Sequence, residues 1–240
     1  MECYTGEFGG VKLSFRFHFQ ETAAFYGEAL QSCNCSENGI EIPESERLEW
    51  MTQWKLTDPI FAEYMLSCSY ACDALMNRDR MVFHGASFRW RGRAWLFSAP
   101  SGTGKTTQLR NWERLYGEEI TILNGDKPIL ELCGDGSVLV HPSPWKGKEG
   151  LGRDDIRVPL GGIILLRQDG ENRITRLASP EAARYLFGRN YSTFRSEEEV
   201  LNVARILEGV LKVTPVWLLR NLGDEASARL TYRTLSEEDC

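Results

Sequence analysis

Apolar and polar positions change period several times along the chain, and each change marks an element. In residues 12–19 (KLSFRFHF), Leu13, Phe15, Phe17 and Phe19 alternate with polar neighbours. That period of two predicts a half-buried strand, with His18 on its solvated face. Residues 20–57 carry Gly, Asn, Ser and Pro punctuation and read as an irregular, β-rich stretch. In residues 59–76, Phe61, Tyr64, Met65, Cys68, Ala71 and Leu75 fall on one helical face, and Pro59 suits the first turn. Residues 82–90 and 93–98 read as two strands joined by a turn at Arg91-Gly92. A helix over 106–116 carries Leu109, Trp112 and Leu115 and stops at Gly117. Residues 120–123 form a short strand, and 129–132 with 138–140 form a second hairpin around Gly134-Asp135-Gly136.

The run Leu160-Gly-Gly-Ile-Ile-Leu-Leu166 is continuously apolar, which predicts a strand covered on both faces. A strand over 172–177, helices over 179–187 and 196–212, a strand over 215–219 and a helix over 224–235 complete the pattern. The 196–212 helix places Val200, Val203, Ala204, Leu207 and Leu211 on one face. The expected class is α/β: a mixed sheet with flanking helices over residues 80–240, preceded by a small β-rich appendage and helix over 1–79.

Composition narrows the function. The chain has 240 residues and net charge −6, which argues against a general nucleic-acid or anionic-membrane binder. No apolar run is long enough to span a bilayer, and the Met-Glu-Cys-Tyr start has no basic or apolar signal segment. Seven scattered cysteines suggest reduced thiols and a cytoplasmic setting. Cys33-x-Cys35 with Cys68-x3-Cys72 have poor spacing for a thiolate metal site, so ordinary thiols are expected.

The most specific motif is Ala99-Pro-Ser-Gly-Thr-Gly-Lys-Thr-Thr107, between a buried strand (Ala94-Trp-Leu-Phe-Ser98) and a helix. This is the spacing of a phosphate-binding loop, although Ala99 stands where the common pattern opens with Gly. Gly102 and Gly104 allow backbone N–H groups to turn around a phosphate, with the rest of Ser101, Thr103, Lys105, Thr106 and Thr107 lining it. Lys105 supplies a point charge, the Thr106 hydroxyl suits Mg²⁺, and the helix contributes its positive end.

Three further features surround it. Asp126 follows the 120–123 strand, where an acidic metal ligand or base belongs; Asn124-Gly125-Asp126 is also strong turn chemistry. His84-Gly85 sits among apolar residues early in the 82–90 strand, where a lone His is usually a core residue. Residues 141–152 (HPSPWKGKEGLG) form a Gly- and Pro-rich segment holding Trp145, Lys146, Lys148 and Glu149. It reads as a mobile substrate loop in which the lysines pair with phosphate and Glu149 binds a metal. Arg184, Arg189 and Arg195 are exposed candidates without a specific signal.

The order His84-Gly85, phosphate loop, Asp126, then Glu149-Gly-Leu-Gly152 resembles the catalytic domain of HPr kinase/phosphorylase, whose fold is shared with phosphoenolpyruvate carboxykinase. The resemblance covers roughly residues 80 to 220 and is strongest to compact bacterial relatives with a loop like Pro144-Trp-Lys-Gly-Lys-Glu149. It implies a kinase using ATP and Mg²⁺. His84 would lie near the transferred group, Asp126 would accept the proton of a serine-type hydroxyl or hold the metal, and Glu149 would help bind Mg²⁺. The chain departs from the family at Gly125, where a second acid is usual, and at Lys148-Glu149, where a Glu–aliphatic–Arg segment is usual.

The expected function is therefore phosphoryl transfer to a serine-type hydroxyl of a protein, peptide or metabolite, with Lys105, Asp126 and His84 as catalytic residues. The alternative is a nucleotide-binding regulatory module without transfer, which the missing acid motivates. No Asn-Lys-x-Asp motif supports a GTPase switch. HPr kinases form hexamers; here a dimer and a monomer stay equally open.

Overall fold

The structure is a computed structural model that describes residues 1–34, 39–153, 156–191 and 196–238. Its N-terminal part begins with the hairpin β1 (Glu2–Phe8) and β2 (Val11–Phe17). The turn between them, Gly9-Gly10, has φ of 57° and 76°, a region open to glycine without strain. The alternation in β2 buries Val11, Leu13, Phe15 and Phe17 as expected. Short strands β3 (Gln31–Ser32) and β4 (Ile40–Glu41) complete a sheet of order β3-β1-β2-β4.

Two helices follow, α1 (Glu44–Trp54) and α2 (Pro59–Met76). The expectation of a β-rich 20–57 stretch is corrected: this region holds a 3-10 segment, Gln20–Ala29, and α1. α1 escaped the pattern because it sinks only Arg47 and carries no apolar stripe. It is supported instead by Glu44 and Glu46 in its first turn and a left-handed cap at Lys55. α2 begins where expected, with Asp58 accepting from the Ile60 and Phe61 amides. Its buried face is turned slightly from the expected one: Ala62, Leu66, Ala71 and Leu75 are buried and Met65 is exposed. His18 is not simply solvated. Its amide donates to the buried carboxylate of Glu63 at 2.9 Å, and its ring Nδ1 lies 3.1 Å from the same oxygen.

The second sheet contains β5 (Arg80–Val82), β6 (Ala86–Trp90), β7 (Arg93–Ser98), β8 (Ile120–Asn124), β9 (Ile129–Leu132), β10 (Val138–His141), β11 (Val158–Gln168), β12 (Arg173–Arg176) and β13 (Val216–Asn221). Its order is β5-β9-β10-β11-β7-β6-β8, with β13 also on β11 and β12 on β13. The strand expected over 82–90 is two strands in different parts of the sheet, separated at Phe83-His84-Gly85. β11 is central, parallel to β7 and to β13. A Cβ on Gly162 would stand 2.5 Å from Trp217 and 2.7 Å from Trp95, so the glycine leaves room for two indoles.

Helices cover both faces: α3 (Lys105–Tyr116) with α6 (Glu225–Glu238) on one, α4 (Ser179–Leu186) with α5 (Glu197–Val213) on the other. β11 accordingly alternates Ile163 and Leu165 toward α4 and α5, and Ile164 and Leu166 toward α3 and α6. The chain is thus mixed α/β. A third cluster joins Phe8, Phe15, Tyr26 and Leu75 to Val82, Ile129 and Trp145, so packing runs continuously across the boundary at residues 79 and 80. No helix of the described residues is long and apolar enough to cross a membrane. Cys3 is disulfide-bonded, which corrects the expectation of reduced thiols throughout; Cys33, Cys68, Cys72 and Cys133 are free, and Cys35 lies outside the described residues.

Candidate functional site

β6 runs antiparallel to both β7 and β8, so β7 and β8 point the same way. Phe97, near the end of β7, is opposite Ala86, and Asn124, the end of β8, is opposite Ser87. Both strands therefore deliver their carboxyl ends beside His84 and Gly85. Ligands in α/β sheets bind at such carboxyl ends.

From β7 the chain enters the phosphate loop. Gly102 and Gly104 have φ of 77° and 108°, and Gly104 caps α3 without a side-chain partner. The first-turn amides of α3 thus lack a side-chain acceptor at their cap. Lys105 is buried, and its Nζ donates to the carbonyls of Ala99 at 3.0 Å and Pro100 at 3.4 Å. Thr103, Gly104 and Thr106 are half-buried, while Ser101, Gly102 and Thr107 face solvent. Gln108 ties the helix down by donating to Asn221 Oδ1 and Ser227 Oγ.

From β8 the chain enters an Asx turn that aims Asp126. Asn124 is fully buried, and its Oδ1 accepts from the amides of Asp126 (2.9 Å) and Lys127 (2.7 Å). Its Nδ2 donates to Ser143 O and Oγ, and Ser143 Oγ donates to Lys127 O. The Asp126 carboxylate lies 3.6 Å from His84 Nε2 through Oδ1, and Oδ2 accepts from Lys127 Nζ at 2.7 Å. A side chain at Gly125 would be tightly packed. A Cβ there would stand 3.1 Å from Leu151 Cβ and 3.2 Å from Lys146 O.

His84 is held by its backbone between two sides of the site. Its N–H donates to Arg189 O at 2.7 Å, and the Gly85 N–H donates to Asp126 O at 2.9 Å. Tyr191 closes the other side, with its ring 5.8 Å from the His84 ring and under Lys127 Nζ at 5.0 Å. Burial holds the His84 imidazole down to a pKa of about 4; the Lys105 charge adds to this, Asp126 opposes it, and Arg189 and Lys127 add smaller pushes. His84 is neutral at pH 7. Burial also lowers the Lys105 ammonium, Asp126 opposing and Arg189 and Lys127 reinforcing, and it raises the Tyr191 hydroxyl. Among the described residues three cations, Lys105, Lys127 and Arg189, thus share one site with the carboxylate of Asp126, within a chain of net charge −6. That is a field for an anion richer in charge than one carboxylate.

The sequence pattern gave Lys127 and Tyr191 no role and left Arg189 as an unspecific exposed candidate. Arg189 is half-buried, and its Nε has no hydrogen-bond partner. It arrives on the short 3-10 segment Phe187–Arg189, far along the chain, so no local spacing pointed to it. Arg184 is exposed on α4, and Arg195 lies outside the described residues.

The 141–152 segment divides in two. Trp145 is buried in the third core cluster, stacked on Phe8 at 5.5 Å, so it anchors the segment. Lys146 is half-buried, and Lys148 and Glu149 face solvent. Glu149 pairs with Arg110 of α3 at 2.5 Å. The glycines fit the segment to β8: a Cβ on Gly152 (φ 132°) would strike Leu123 O at 2.5 Å, and one on Gly147 (φ 73°) would meet Asp126 Cβ at 2.9 Å.

The donor set suits a hard cation held partly by phosphates. Asp126 and the Thr106 hydroxyl offer oxygen, and among the described residues no group of three or more His, Cys, Asp or Glu gathers that could hold a metal alone. Mg²⁺ commonly takes one or two protein oxygens and completes its shell with phosphate and water. Comparison of the chain with models of known protein families and with curated proteins finds no match.

Proposed function

We propose that this protein is an ATP- and Mg²⁺-dependent phosphotransferase acting on a serine-type hydroxyl, built on the P-loop fold of HPr kinase/phosphorylase and phosphoenolpyruvate carboxykinase that the motif order resembles. One observation carries the reading: the phosphate loop, Asp126 and His84 meet at the carboxyl ends of two parallel-running strands. A cytoplasmic setting with a nucleotide and a hydroxyl-bearing acceptor as partners belongs to the same reading.

The roles follow from the geometry. The amides of residues 101–107 cradle phosphate oxygens, and Lys105 exchanges its carbonyl partners at Ala99 and Pro100 for phosphate. Thr106 and Asp126 would hold Mg²⁺, which would supply positive charge to the phosphate oxygens. Asp126 orients the acceptor hydroxyl and takes its proton as the oxygen bonds to phosphorus and the bond to the nucleotide breaks. Lys127 fixes the carboxylate through Oδ2, leaving Oδ1 for the substrate. Neutral His84 offers a hydrogen bond without adding a fourth cation. Arg189 adds charge beside Lys105. Catalysis is then positioning and electrostatic stabilisation.

A second reading, a nucleotide-binding module without transfer, is favoured by one feature. Among the described residues the site has one carboxylate, already engaged by Lys127, and a side chain at Gly125 would be tightly packed. Incubation with Mg²⁺ and γ-labelled ATP, with serine, threonine, a serine peptide or HPr as acceptor, separates the two. Acceptor-dependent transfer supports the kinase. Tight nucleotide binding with Asp126→Asn indistinguishable from wild type in turnover supports the module.

A further inference from the structure

A cavity of about 560 Å³ lies between α1 and α2 and reaches the candidate site. Its lining includes Lys127 and Tyr191, the two residues that flank Asp126 and His84. Its walls include the aromatic rings of Trp50, Trp54, Tyr64 and Trp145, and Glu46 and Glu49 of α1 also line it. No residue of the phosphate loop lines it. The volume is in the range of small-molecule sites.

We infer that this cavity receives the phosphoryl acceptor, and that the acceptor is a small hydroxyl-bearing cation with an apolar or aromatic body; this rests on the phosphotransferase reading. Three observations fix the class. An occupant lies against Lys127, which holds Asp126, in a cavity that no phosphate-loop residue lines, so acceptor and nucleotide have separate space. The indole and phenol walls favour an apolar or aromatic body and attract a cation at their faces. Glu49, and Glu46 which also accepts from the Tyr70 hydroxyl, favour a positive group on the occupant. α1, which sinks only one of its own residues in the core, gains a role as the outer wall.

Phenylalaninol tests this directly, since it joins a primary hydroxyl, a phenyl ring and an ammonium. Its binding to the full chain is followed by tryptophan fluorescence, beside N-acetylphenylalaninol (no charge) and ethanolamine (no ring). The inference expects saturable quenching by phenylalaninol, weaker binding by both analogues, roughly fivefold weakening in Glu49→Gln and loss of the signal's binding component in Trp50→Ala. Lys105→Ala should leave this binding intact while nucleotide affinity falls, so a failure of the nucleotide chemistry is read separately. Equal binding of the uncharged analogue, or indifference to both Glu49→Gln and Trp50→Ala, overturns the inference. Displacement of phenylalaninol by adenosine also overturns it, because the cavity would then belong to the nucleotide.

Discussion

The amide of Asp126 donates to Asn124 Oδ1 at 2.9 Å, and the Asp126 carboxylate is aimed by that bond. Asn124 has no solvent contact and also holds Lys127 and Ser143. Asn124→Ala leaves two amides and a serine carbonyl short of partners in a dry place. It is expected to destabilise the fold by about 3 kcal/mol, measured by urea unfolding, and to lower transfer more than nucleotide affinity.

His84 should stay neutral well below the usual range. Its imidazole resonances are expected to titrate near pH 4 by NMR, where an unperturbed histidine titrates near 6.5. Because the folded value is below the unfolded one, the unfolded chain binds more protons between those limits. The His84 contribution to stability is therefore complete above about pH 6.5 and is lost as pH falls toward 4. Lys105→Ala should move the His84 midpoint up, and Asp126→Asn should move it down. A midpoint of 6.5 in the wild type contradicts the arrangement.

Gly147 sits at φ 73° with its missing Cβ aimed at Asp126. Gly147→Ala is expected to cost about 1–2 kcal/mol in backbone strain and to displace the carboxylate. The readout is a fall in kcat at preserved nucleotide affinity, and an unaltered kcat would show that the glycine is incidental.

Trp145 ties the 141–152 segment to the N-terminal sheet through Phe8 and Tyr26. Trp145→Ala is expected to cost about 3–5 kcal/mol by denaturant unfolding, whereas Trp145→Phe costs less. A mere substrate-loop tryptophan would leave stability unchanged.

What the sequence revealed was local in origin. The phosphate loop was legible because its residues are contiguous and its flanks, a buried strand and an amphipathic helix, carry opposite periods. The continuous apolar run of β11 was legible for the same reason. The Asn124 turn was visible as turn chemistry, but its burial and its hold on Ser143 depend on a segment about twenty residues on. Arg189 and Tyr191 reach the site where the segment at Asn190 pairs with Phe83, which no short-range pattern encodes. α1 was missed because a helix lying on the surface over a cavity has no continuous apolar face to betray it. His84 was placed inside a strand because its apolar neighbours hide the break; the break exists because β5 and β6 join different partners.

The central claim is that Asp126 acts on a hydroxyl beside a phosphate bound by Lys105. The most direct measurement is acceptor-dependent transfer from γ-labelled ATP in wild type, Asp126→Asn and Lys105→Ala, with nucleotide binding measured on the same samples. The account predicts that Asp126→Asn keeps nucleotide binding and loses transfer by about a hundredfold or more, while Lys105→Ala loses both. Transfer by Asp126→Asn at the wild-type rate, with the same acceptor, contradicts it.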